Sequence, residues 1–278
     1  MEVTIQDIRE AIQNLGLSGR PLCVHSSLRS FVWVDEGAST VVNGLLAEGC
    51  TVLVPTFSWT FGVPPPPDMR FARNGWDYEA YKGLLTSGIG RIYTPDSMEI
   101  DRGMGAIPAA VLAMPRRLRG NHPLCSFSAV GPLAEKLISG QAPLDVFAPL
   151  DMLTRTDGSV ILMGVGLDTM TIIHLAEKLA GRNLFRRWAN GPDGRPTAVE
   201  VGGCGGFDNF KPILSPLMKE AKVGQSIWRA FPAKDTLETS VRAIKEDPWI
   251  THCSNPRCGR CNDAVMGGPI LTASGIAV

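Results

Sequence analysis

Three short apolar runs constrain this chain most: Pro21-Leu-Cys-Val-His25, Thr51-Val-Leu-Val-Pro55 and Ser159-Val-Ile-Leu-Met-Gly164. Each is too brief for a helix. None alternates apolar with polar residues, so the runs read as strands buried on both faces. Ala38 to Ala47 lies between the first two and can form the crossover helix of a βαβ unit. The third run leads through Gly164-Val-Gly166 into Thr169 to Ala180, giving strand, glycine turn and helix in succession. We therefore expect one α/β domain over residues 1–278, with a central mixed or mostly parallel sheet flanked by helices.

Ahead of the first run, Ile5, Ile8, Ile12 and Leu15 recur at helical spacing, Thr4 and Asp7 suit a capping box, and Gly16 ends the helix. Residues 62–104 carry Pro64 to Pro67, several glycines and the scattered aromatics Trp76, Tyr78, Tyr81 and Tyr93, which predicts a long lid-like loop. Ala106 to Met114 reads as a helix. The last third alternates strand-like and helix-like pieces at Thr197–Val201, Phe210–Ala221, Ile227–Phe231 and Leu237–Lys245, before a cysteine-rich segment at 252–261.

Composition excludes several function classes. Hydrophobic residues at 44% against 19% charged rule out a disordered chain. Lys+Arg and Asp+Glu are equal at 27 each, so no global field draws nucleic acid or anionic lipid, and a small-molecule partner is expected. No apolar run approaches the ~18–20 residues of a membrane span, and the first residues lack a signal-peptide core, which points to a cytoplasmic protein. The fingerprint GxGxxG would need glycine where Thr169 stands, and GxSxG, HExxH and GxxxxGK[ST] are missing.

The pattern with most chemistry is His174 with Glu177. At i and i+3 on a helix, an imidazole and a carboxylate share one face, and a carboxylate on one ring nitrogen fixes the tautomer and raises the basicity of the other. The same spacing also describes a plain surface pair. His25-Ser26-Ser27 and His122 with Ser126 follow apolar segments and offer donors to a phosphate or carbonyl, or else cap local turns. Cys125, beside His122, reads as a packed thiol. Cys253, Cys258 and Cys261 have ligand-like spacing, with Cys204 as fourth thiolate or His252 as the alternative, so a structural zinc competes with plain reduced cysteines.

Taken in order, His25-Ser-Ser-Leu28, Val54-Pro-Thr-Phe-Ser58, Gly105-Ala-Ile-Pro108, His122-Pro-Leu-Cys-Ser-Phe127, Gly164-Val-Gly166, Thr171-Ile-Ile-His-Leu-Ala-Glu177 and Cys204-Gly-Gly-Phe207 resemble the aminoglycoside N(3)-acetyltransferase-like family. The resemblance implies an acetyl-CoA-dependent N-acetyltransferase with a coenzyme A groove and an amine acceptor, most simply the 3-amino group of an aminoglycoside. It implies His174 as general base and Glu177 as its orienter. Ser26, Ser27, Leu28, Ser126 and Phe127 match positions that line the coenzyme. Where the family commonly has Arg-Ser, this chain has Arg119-Gly120, so one hydroxyl is missing. A polycationic acceptor calls for carboxylates, and the lid offers Asp68, Asp77, Glu79, Asp96, Glu99 and Asp101, which are otherwise solvated loop charges. The alternatives are a relative acting on a non-aminoglycoside amine, or a catalytically idle coenzyme A-binding protein.

Overall fold

The chain opens as its capping chemistry dictates. Helix α1 (Ile5–Leu15) starts at Thr4, whose backbone N–H donates to Asp7 Oδ2 at 2.7 Å, and stops at Gly16 in the left-handed region. The computed structural model describes residues 2–80, 87–203 and 205–271. Its first strands are β1 (Pro21–Ser26), β2 (Thr51–Pro55), β3 (Gly62–Val63), β4 (Leu118–Arg119) and β5 (Phe127–Val130). The rest are β6 (Ser159–Met163), β7 (Phe185–Asn190), β8 (Pro196–Val201), β9 (Lys219–Val223) and β10 (Ser226–Pro232). Further helices are α2 (Ala38–Ala47), α3 (Ala106–Ala113), α4 (Ala134–Ile138), α5 (Ala148–Arg155) and α6 (Ile172–Leu179). The last are α7 (Lys211–Leu214), α8 (Ala233–Glu246) and α9 (Gly259–Val265).

Seven strands form the main sheet in the order β4-β5-β2-β1-β6-β10-β9. The three apolar runs sit side by side at its centre, with β1 parallel to both β2 and β6, while β4, β5, β9 and β10 join antiparallel. The sheet is therefore mixed. Alternate residues of each central strand feed opposite cores, which explains their continuous hydrophobicity. Leu22, Val24, Val52, Val54, Ile161 and Met163 face a core built with α1, α2 and α3. Cys23, Leu53, Val160 and Leu162 face the other, built with α4, α5, α6 and α8.

A second antiparallel sheet, β3-β7-β8, stands beside the first. Much of what is described between residues 62 and 104 is irregular, and aromatics there are tied to the body. The Tyr93 hydroxyl donates to Gly120 O at 2.6 Å, and the Tyr78 hydroxyl donates to Phe71 O at 2.8 Å. Tyr81 lies outside the described residues. The expected element at 210–221 is broken into 3-10 turns, the short α7 and the start of β9, because Pro212 and Pro216 interrupt any longer helix. Among the described residues no helix is long and apolar enough to cross a membrane.

Candidate active site

The carboxyl ends of β1, β2 and β6 open on one side of the main sheet, where ligands of such sheets sit. After β6, the chain turns at Gly164, whose φ is +68° and whose Cα is covered so closely by Ser30 that a Cβ would meet Ser30 Oγ at 2.0 Å. A 3-10 turn at Leu167–Thr169 then delivers α6. Ile172, Ile173, Leu175 and Ala176 bury this helix, and His174 and Glu177, three residues apart, share another of its faces, with Glu177 buried as well.

His174 Nδ1 and Glu177 Oε2 are 2.7 Å apart, with side-chain exposures of only 12% and 4%. A carboxylate only accepts, so Nδ1 carries the proton and Nε2 keeps its lone pair. Phe147 stacks on the ring at 5.8 Å and Phe207 meets it edge-on at 4.8 Å. Nε2 and Cδ2 lie against the bare Cα of Gly202, where an added Cβ would sit 2.8 and 2.5 Å from them. The imidazole faces a cleft of about 150 Å³ lined also by Phe57, Trp59, Cys125, Thr171, Arg187, Val201, Gly203 and Arg260. A firmly held imidazole beside a small cleft can, when its Nε2 is unprotonated, accept a proton from a bound nucleophile.

A larger groove of about 890 Å³ lies on the other side of the α6 entry: Thr169 lines the groove and Thr171 the cleft. Ser26, Ser27 and Leu28 line it together, with the cationic Arg29 and Arg102, Gly103, Gly105 and the exposed Val32 and Trp33. The Ser26 hydroxyl is buried and has no hydrogen-bond partner among the described residues. Ser126 and Phe127 are not brought to this groove. Both are buried, and the Ser126 hydroxyl donates to Thr56 O at 3.0 Å while accepting from Arg119 Nε at 2.9 Å.

The other sequence candidates have structural settings. Burial pushes the His25 imidazole down to about 4, and its Nε2 lies 3.3 Å from Thr171 Oγ1. His122, also pushed down to about 4 by burial, accepts at Nδ1 from the Cys125 backbone at 2.8 Å and donates from Nε2 to Glu200 O at 2.8 Å. That organises its loop. Burial pushes the Cys125 thiol far up, which removes it as a nucleophile. His252, Cys253 and Cys261 bring ligand atoms within 4.8 Å of one another, whereas Cys258 caps α9 outside that group and Cys204 lies outside the described residues. Arg182, Arg187 and Arg260 had no local sequence signal, because each reaches the site from beyond the helix that carries His174 and Glu177.

Residues 23–245 match the family described as aminoglycoside 3-N-acetyltransferase. The chain is 33% identical over 186 residues to aminoglycoside N(3)-acetyltransferase IX of Micromonospora chalcea, covering 64% of this chain and 63% of that protein, under two thirds of its length. It is 30% identical over 253 residues to aminoglycoside N(3)-acetyltransferase IV of Salmonella sp, covering 85% of each. Among solved structures, aminoglycoside acetyltransferase AAC(3)-IVa, as a histidine-to-alanine mutant in complex with a gentamicin, is similar at 26% identity and a TM-score of 0.76, over 96% of this chain and 98% of that one.

Proposed function

Because this chain belongs to the aminoglycoside 3-N-acetyltransferase family, we propose that it moves the acetyl group of acetyl-CoA to an amine, with His174 as general base and Glu177 as its orienter. The observation that carries this is the 2.7 Å bond between Nδ1 and Glu177, which leaves the Nε2 lone pair at the cleft. The acceptor amine enters the cleft and gives a proton to Nε2 as its nitrogen attacks the thioester carbonyl. The carbon–sulfur bond breaks and the coenzyme A thiolate leaves.

The groove suits the cosubstrate. Its volume lies in the ~300–1,000 Å³ range of small-molecule sites. Arg29 and Arg102 supply cations for phosphates, Val32 and Trp33 supply apolar surface, and the unpartnered Ser26 hydroxyl supplies a polar contact. We assign direct contacts to Ser26, Ser27 and Leu28, whereas Phe127 packs against Phe57 of the His174 cleft and Ser126 holds Arg119. His252, Cys253 and Cys261 have the donor chemistry of a structural zinc site and supply three of the four ligands it takes.

Aminoglycosides, named for the relatives, are the acceptor this kinship supports. A second reading, an amine of lower positive charge, is favoured by Arg187 and Arg260 in the described cleft lining. Of the lid carboxylates, Glu79 pairs with Arg70, Glu99 with Arg91, and Asp77 caps its own turn. Asp101 reaches the cleft wall, where it accepts from the Trp59 N–H at 3.2 Å.

The test is thiol release from acetyl-CoA across aminoglycosides and simpler amines, beside His174→Ala. Amine-dependent release is expected to fall by about 10²–10⁴ in the variant. A general base works only unprotonated, so wild-type release has a rising acid limb, and a rate independent of pH contradicts the base role; acetyl-CoA binding without turnover on any amine indicates an idle binder.

A further inference from the structure

Glu177 has two carboxylate oxygens, and only one serves His174. Oε2 accepts from His174, whereas Oε1 accepts from Arg182 Nη1 at 2.7 Å. Arg182 is 8% exposed, and its guanidinium is aimed by a distant part of the chain. Nη1 also donates to Thr251 Oγ1 at 2.7 Å, and Nη2 donates to Pro248 O at 2.6 Å. Its backbone N–H closes on the Glu177 main-chain O at 3.1 Å, so the two residues are tied at both backbone and side chain.

A carboxylate this deeply buried tends to take up a proton unless a cation faces it. Protonated, Glu177 loses the charge that fixes the imidazole tautomer and steadies the imidazolium formed during transfer. We infer that Arg182, held by Thr251 and Pro248, is a positioning residue that keeps Glu177 ionised and aimed at His174 Nδ1. The inference rests on the reading of His174 as the base. It makes the turn at Pro248–Thr251 part of the catalytic support, although nothing in that turn lines the cleft. Lysine keeps the charge and loses the planar fork that meets Glu177, Thr251 and Pro248 together.

The experiment compares Arg182→Ala, Arg182→Lys and Thr251→Val with wild type and His174→Ala, reading kcat across pH, KM for acetyl-CoA, and melting temperature. Arg182→Ala is expected to lower kcat about 10²-fold, the scale of a misplaced catalytic group, and to leave KM for acetyl-CoA unchanged. Its acid limb moves to higher pH. Without the guanidinium the Glu177–His174 pair holds a proton more tightly, whichever residue carries it, so a higher pH is needed to restore an ionised Glu177 beside an unprotonated Nε2. The other ionisable groups facing the cleft, Arg187 from β7, Arg260 from α9 and Cys125, are the same in every variant. Millimolar guanidinium restores part of the Arg182→Ala rate, and Arg182→Lys gives an intermediate one.

Where Arg182→Ala folds poorly, Thr251→Val carries the test: losing one hydrogen bond lowers kcat about fivefold and displaces the limb in the same direction. Wild-type kcat in these variants overturns the inference. So does a loss equal at every pH that guanidinium does not relieve. Full activity in His174→Ala removes the base reading itself, whereas an inactive His174→Ala beside wild-type-like Arg182 and Thr251 variants removes only the role of Arg182.

Discussion

The imidazole of His174 is hemmed by a carboxylate at Nδ1, by Phe147 and Phe207 on its ring, and by the Cα of Gly202. Only the last is set by the absence of a side chain. Gly202 does not have a positive φ, so a residue there is excluded by contact and not by backbone strain. Gly202→Ala pushes a methyl onto the ring edge that carries Nε2. We expect kcat to fall about 10²-fold, with the ~1–3 kcal/mol stability loss of an overpacked site; wild-type kcat with an unchanged melting temperature contradicts this contact. The His174–Glu177 pair was legible in the sequence because helical spacing alone makes i and i+3 neighbours. Gly202 and Arg182 were not, since the first follows β8 and the second lies beyond the end of α6, and only the tertiary fold sets them against the pair.

The same division between local and long-range physics runs through the elements. β1, β2 and β6 announced themselves as strands because both their faces are covered by apolar groups. β7, Phe185–Asn190, did not, because Arg186 and Arg187 interrupt its apolar pattern while both are buried. Arg186 is matched by Glu200 at 3.3 Å across the β7–β8 pairing, and Arg187 lies 4.3 Å over the Trp76 ring, so distant partners make a polar-looking strand buriable. The segment from Pro248 through α9 is an element of this kind. Thr251 holds Arg182, Arg260 lines the cleft, and next to them in the chain His252, Cys253 and Cys261 gather. We expect purified protein to contain about one zinc per chain. Chelation or Cys261→Ser should lower the melting temperature and kcat together, because the segment fixes both Arg182 and Arg260. Elemental analysis checks the metal; zinc well below one per chain in protein prepared without chelator sinks the zinc site, and the thiols then act as packing groups.

At the scale of the whole molecule, charge selects the acceptor. The chain carries no net charge, 27 basic against 27 acidic residues, so attraction of a charged amine depends on local placement. Around His174 the cations Arg187, buried in the wall, and Arg260, exposed at the cleft, stand against Glu177 on the imidazole and Asp101 at the cleft wall, while Glu79 and Glu99 are occupied by Arg70 and Arg91. We propose that the exposed Arg260 disfavours a polycation and favours an amine bearing a carboxylate or phosphate. Added salt should therefore lower KM for an aminoglycoside and raise it for an anionic amine, since screening weakens whichever force operates. Arg260→Glu reverses the exposed charge without touching the pair that moves the proton. It should lower the aminoglycoside KM about fivefold and raise that of an anionic amine by a similar factor, the ~1 kcal/mol scale of an exposed charge pair, with the kcat pH profile unchanged. Equal shifts for both acceptors would mean that Arg260 acts through packing, and a shift in kcat alone would mean that it acts on the chemical step; either result removes charge selection from the cleft.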